Sequence, residues 1–270
     1  MNSLFDDKGR RIPFEGMRVF NKTSKWYYQI KQPEINYERI LNRTKDYSEI
    51  EDKLSSKAFE RICDELKQKI QNTEGLENLF GGVHVPFVAP KIEDVRDLGE
   101  ELGKVTLPAV ANSFTSEYPD LHCKAILQGS SKLEEEIRVN EDSRFEKLQN
   151  ALRKSDVVGW YFPQALQEYD IESQRQQMKT LPMEDNLCLS GHSDTAAALV
   201  GSPGLLIHED CYPPVLCLSA LEHHDPKLML CFKAYGHHLE FWCMSQMLTP
   251  TMTQVSEQWT GGLTVFLKVH

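Results

Sequence analysis

The chain has 270 residues, 40% of them hydrophobic and 26% charged, with a formal net charge of −10. That length supports one large hydrophobic core, or a core plus an extension, and the ordinary apolar and charged fractions exclude a disordered or fibrous chain. No apolar run approaches the roughly 20 residues of a membrane-spanning helix, and the opening MNSLFDDKGRR lacks the apolar core of a secretory leader, so a cytoplasmic protein without a membrane partner is expected.

Residues 1–46 show no clear period and read as a basic N-terminal extension with one or two short strands around 24–30. They carry ten Lys/Arg against six Asp/Glu, whereas the remainder carries twenty against thirty-four. An acidic body disfavours nucleic acid, because phosphate binding needs clustered positive charge. The arm's Trp26, Tyr27 and Tyr28 are read as aromatics that dock on the body rather than as a platform for bases.

Ser48-Glu49-Ile50-Glu51 has the form of a capping box. Phe59, Ile62, Cys63, Leu66 and Ile70 then recur at helical spacing, predicting an amphipathic helix over 55–72 that stops near Gly75. VHVPFVAP reads as a buried strand, and Pro86 inside it suits an edge or a bulge. Ile92, Val95, Leu98 and Leu102 mark a second helix, followed by possible strands over 105–110 and 123–128. The acidic run from Ser130 to Asp142 reads as a solvated face. Ser143-Arg144-Phe145-Glu146 is another capping box, whose helix buries Phe145, Leu148 and Leu152.

DVVGWYF (156–162) predicts a strand stopped by Pro163, followed by a helix over 165–180. Strand CLS, a short helix TAAALV capped by Ser193 or Asp194, and strands GLLIH and VLCLSA come next. The segment 226–246 reads as a β-hairpin turning at Gly236-His237, with Tyr235 opposite His238, Lys233 opposite Glu240, Phe232 opposite Phe241 and Cys231 opposite Trp242. One face (Leu228, Leu230, Phe232, Leu239, Phe241, Cys243) is apolar throughout; the other is mixed. LTVFLKV closes the chain as a strand.

These elements predict an α+β fold: a mainly antiparallel sheet with a C-terminal hairpin and meander, several packing helices and the N-terminal extension, with 47–270 forming one domain. Seven cysteines without a CxxC pair point to reduced thiols, and Cys217, Cys231 and Cys243 inside apolar runs behave as small core residues.

The pattern Pro214-Val215-Leu216 with Ser219, then Pro226-Lys227-Leu228, Cys231-Phe232, His237 or His238, Trp242 and Ser245, resembles the closing region of a bacterial, actinobacterial-type family of unknown function. Tyr47, the helix around Phe59 and Val85-Pro86-Phe87-Val88 resemble its opening elements, so the likeness spans about residues 46–246. It implies no activity and no catalytic residues, and the family's pattern lacks the His-x-Asp at 192–194.

His192-Ser193-Asp194, followed some 45 residues later by His237 or His238, has the residue types of a two-histidine, one-carboxylate iron site. The competing reading has Ser193 or Asp194 capping a helix, with His192 in the preceding turn. Gly191-His192-Ser193-Asp194-Thr195 also begins like a nucleophile elbow, but Thr195 stands where the second glycine belongs. His208-Glu209-Asp210-Cys211 and His223-His224-Asp225 are polar loop clusters. On the hairpin's mixed face, Tyr235, His238, Glu240 and Trp242 combine aromatics with converging polar groups, as small-ligand sites do.

Fold signals thus outnumber catalytic ones. The expected function is a non-catalytic domain, without a cofactor, that binds a small molecule or a protein through Tyr235, His238, Glu240 and Trp242. The alternative is an iron or zinc enzyme using His192, Asp194 and His238.

Overall fold

The computed structural model describes residues 3–48, 50, 54–92, 97–129, 131–183, 186–246 and 256–269. In chain order the helices are α1 (Tyr37–Tyr47), α2 (Ser56–Gln71), α3 (Leu98–Glu101), α4 (Leu107–Glu117), α5 (Phe145–Leu152), α6 (Ile171–Gln177) and α7 (His192–Gly201). The strands are β1 (Val85–Ala89), β2 (Cys123–Leu127), β3 (Ile137–Val139), β4 (Val157–Gln167), β5 (Leu187–Leu189), β6 (Val215–Cys217), β7 (Leu221–His223), β8 (Leu228–Tyr235), β9 (His238–Ser245) and β10 (Trp259–Lys268).

The main sheet runs β1-β4-β10-β6-β8-β9-β2, with β5 also paired to β10. Its pairings are antiparallel except β10–β6 and β2–β9, and β3 and β7 form a separate antiparallel pair. This is the α+β, mainly antiparallel architecture expected. The strand with Pro86 lies at one edge, where a missing N–H breaks no ladder.

The hairpin of β8 and β9 has the register read from the sequence, Tyr235 to His238 through Leu228 to Ser245. Gly236 and His237 both have positive φ, 54° and 71°, as a type I′ turn requires. Leu230, Phe232, Leu239, Phe241 and Cys243 enter the main core. On the reverse face, Met229 and Cys231 join Val215, Cys217, Trp259 and Ile171 in a second, smaller apolar cluster.

The helix α7 is buried along nearly its whole length, and its neighbours include β1, α1 and α4. Its apolar residues from Ala196 to Val200 suit a helix packed among other elements, with Ser193 half-buried in its first turn. α2 packs on β4 and β10, where the Trp160 indole N–H donates to the Cys63 carbonyl at 2.9 Å.

The N-terminal arm lies against the outer end of β4. Arg10 is 2% exposed; its guanidinium donates to the Gln167 and Asn21 carbonyls and pairs with Glu168 at 3.4 Å. Backbone bonds from Arg11 to Ala165 and from Phe20 to Glu168 continue the seam. Instead of strands over 24–30 the arm has isolated bridges, among them Tyr28 to Tyr212. The extension has a helix as well: Asn36 caps α1 by accepting from the Arg39 N–H, and α1 runs across the expected boundary at residue 46.

Four other expectations change. The strand from 157 runs through Pro163 because a register shift opposite Gly261–Leu263 takes the proline out of the ladder; the following helix therefore shrinks to α6. The run 105–110 is helical, since Pro108 occupies the first turn of α4 and Val110 and Phe114 are buried from one helical face. GLLIH forms turns that bury Leu205 and Leu206 after α7, with no partner strand. The capping serine of α2 is Ser55, which accepts from the Ala58 N–H; Glu49, Glu51 and Val95 lie outside the described residues. Ser143 accepts from the Phe145 N–H beside Arg144, which stands in the left-handed region at the start of α5.

Candidate functional site

Of the residues singled out on the hairpin's mixed face, Glu240 and Trp242 engage each other, while His238 and Tyr235 do not join them. Trp242 donates its indole N–H to Glu240 at 2.7 Å, and the Lys233 ammonium sits 3.9 Å from the Trp242 ring centroid. His238 stacks on His122 with centroids 3.6 Å apart, and its Nδ1 accepts from the His122 backbone N–H. Tyr235 stands 68% exposed beside the turn.

The three residues of the metal reading have separate partners. Asp194 Oδ1 accepts from the Gly191 N–H at 2.9 Å, closing the first turn of α7, and its other oxygen accepts from the Thr264 hydroxyl. Burial raises the Asp194 carboxyl to about 6, with these hydrogen bonds opposing the rise. His192 faces Glu101, and His238 faces His122. Among the described residues no group of three or more His, Cys, Asp or Glu side chains is placed to hold a metal ion.

What the fold does bring together is Glu101, Gln149, His192 and Ser193, from α3, α5 and α7. β5 delivers the chain to Gly191, whose hydrogen faces the Phe145 ring so closely that an added Cβ would lie 2.5 Å from it. That approach seats the first turn of α7 on α5. His192, fully buried, then has its Nε2 2.9 Å from Glu101 Oε1 and 3.3 Å from Ser193 Oγ, and Gln149 donates its side-chain N–H to Ser193 Oγ at 2.7 Å.

With Glu101 as a carboxylate, the contacts assign the imidazole hydrogen. A carboxylate only accepts, so Nε2 carries the hydrogen it gives to Glu101 and shares with Ser193. His192 Nδ1 is buried without a partner, which a lone pair tolerates better than a charged N–H would. With the hydrogen assigned to Nε2, Ser193 Oγ accepts from both Gln149 and His192, and its own hydrogen is the one capacity it has left. In a hydrolytic triad the acid binds the imidazole nitrogen opposite the one facing the serine. Here Glu101 and Ser193 share one nitrogen, which is not the triad's arrangement.

Ser193 opens on a cleft of about 690 Å³, bounded by the end of α1, the segment after β1, α3–α4 and one face of α7. Its apolar wall includes Ala196, Ala197 and Val200 of α7 with Ile92, Leu152 and Pro108; Lys91 and Lys104 also line it. Between α3 and α4 the helix widens into a π-helical turn, Leu102–Thr106, in which the Leu107 N–H reaches back five residues to Leu102. Pro108, without an N–H, follows at once, a local cause for the widened ladder. Such π insertions concentrate at functional sites, and this one lies on the cleft wall directly after Glu101.

The sequence pointed at His192 and Ser193 but not at Glu101 or Gln149, which lie 91 and 44 residues from their partners. A local cue was the proline-interrupted helical run after Glu101. No family model, curated protein or solved structure matches the chain.

Proposed function

We propose that this chain is a small-molecule-binding domain that performs no chemistry on its ligand, and that the ligand lies in the cleft lined by α7, α1 and the π-helical turn. The observation that carries this reading is the Ser193 hydroxyl, held by Gln149 and His192 so that its only remaining hydrogen-bonding capacity is a donor on the cleft side. A donor with no freedom left to choose its direction is a recognition element, ordered before the ligand arrives. The adjoining alanines and valine of α7 offer a flat apolar wall, the usual complement to a few placed polar groups. The ligand therefore joins an oxygen acceptor to an apolar body. Seven unpaired thiols fit a reducing, cytoplasmic setting for this domain.

The test is a ligand-observed NMR screen of neutral fragments bearing a carbonyl or ether oxygen on an apolar group. Hits should weaken three- to tenfold in Ser193→Ala, the loss of one hydrogen bond. They should disappear in Val105→Trp, a bulky change at a 60%-exposed position on the cleft lining. Hits indifferent to both substitutions, or no hits at all, would refute the reading.

A further inference from the structure

The floor of the same cleft carries a second polar group with unused capacity. Glu101 is only 5% exposed. Its Oε1 accepts from His192, whereas Oε2 has no hydrogen-bond partner among the described residues and is not sealed from solvent, and Glu101 lines the cleft. The contact with His192 is the ion-pair geometry Glu101 makes among the described residues. Glu101 thus presents a carboxyl oxygen to the cleft with no Lys or Arg side chain bonded to it among the described residues, an acceptor that a ligand cation can fill.

We infer, resting on the cleft being a ligand site, that the ligand is an α-amino acid with an apolar side chain: its ammonium seats on Glu101 Oε2 and its carboxylate accepts from the Ser193 hydroxyl. Three observations fix that pairing. Glu101 Oε1 and Ser193 Oγ both contact His192 Nε2, at 2.9 and 3.3 Å, so Oε2, on the same carboxylate, stands at most about 8 Å from the Ser193 donor, one ligand and two hydrogen bonds apart. This suits an ammonium and an oxygen on neighbouring carbons, each hydrogen-bonded at the usual 2.7–3.0 Å. Lys91 on the lining favours a negative oxygen over a simple amine, whereas the Lys104 ammonium is already held by Glu100 at 2.7 Å. Ala196, Ala197 and Val200 then receive an aliphatic side chain.

The experiment titrates four probes into the 15N-labelled full chain: L-leucine, leucinamide, isoamylamine and 4-methylpentanoic acid. L-Leucine should shift the amides of Ser193, Ala196 and Ala197. Isoamylamine and 4-methylpentanoic acid, each lacking one of the two charges, should bind at least tenfold more weakly. Leucinamide, which keeps the ammonium and a carbonyl, should fall between them. Glu101→Gln should weaken leucine at least tenfold, and amide shifts unchanged outside the cleft show that the variant is folded. If 4-methylpentanoic acid binds as well as leucine, or Glu101→Gln binds leucine unchanged, the inference is overturned. Should no probe bind while the neutral fragments still do, the amino-acid assignment falls and the cleft reading stands. Should the fragments fail too, both fall.

Discussion

Replacing Asp194 with asparagine tests how α7 is anchored beneath the cleft. Burial raises this carboxyl from the usual 3.8 to about 6, and at 1.36 kcal/mol for each pKa unit, ionising it costs the folded state about 3 kcal/mol. Between pH 3.8 and 6 the folded chain holds a proton that the unfolded chain has released. Stability from this group is therefore fully present below the unfolded value and is lost as pH rises through the folded one. About 2 kcal/mol of the loss falls between pH 4.5 and 7.5 by the same linkage. Asparagine keeps the acceptor for the Gly191 N–H and offers Thr264 a donor, and Thr264 can turn its own hydrogen to Ser190 Oγ, 3.1 Å away. The variant thus preserves the network without the titration. Urea unfolding of both proteins at the two pH values reads the effect, because other carboxylates cancel in the difference. Relative to Asp194→Asn, the wild type should be more stable at pH 4.5 than at pH 7.5 by about 2 kcal/mol. A difference independent of pH would refute the claim that Asp194 holds a proton in the folded interior.

Three other substitutions probe the frame around the site. Arg10→Met leaves the Glu168 carboxylate buried without its cation; a loss of about 3–5 kcal/mol is expected, with faster tryptic cleavage at Lys22 and Lys25, and unchanged cleavage would show that the arm is held elsewhere. Gly191→Ala drives a methyl into the Phe145 ring and should cost about 1–3 kcal/mol. That cost should shrink in a Phe145→Leu background, and simple additivity of the two melts would contradict the contact. His237→Gly relieves a left-handed backbone at the hairpin tip, so the melting temperature should hold or rise by the equivalent of about 0.5–1 kcal/mol; a marked fall would argue against the type I′ turn.

The hairpin was legible because its information is local. Alternation places Phe232 and Phe241 on one face, Gly236 supplies the turn, and pairing Lys233 with Glu240 leaves a single register. The same holds for α2, whose apolar residues repeat at helical spacing and whose observed span of 56–71 nearly matches the expected 55–72. Segments whose local preference was weak went to whichever neighbour could bury them. Val105 to Val110 has the composition of a strand, yet it coils because Val110 and Phe114 can then pack inward, with Ser113 donating to the Val200 carbonyl of α7. Pro163 ends a strand in an isolated sequence. Here a bulge against β10 absorbs it, and the freed Pro163 carbonyl accepts from Thr260.

The candidate site shows the same division more sharply. Alternation, helical spacing and turn residues are interactions between near neighbours, so the amino-acid order alone determined the hairpin, α2, the edge strand with Pro86 and the mixed α+β class. Glu101 meeting His192 across 91 residues, and Gln149 fixing the Ser193 hydroxyl, depend on how α3 and α5 pack around α7. Burial removes those groups from water and obliges each to find a partner. Which partner it finds, and which capacity it leaves open to a ligand, is settled only when the helices close over one another.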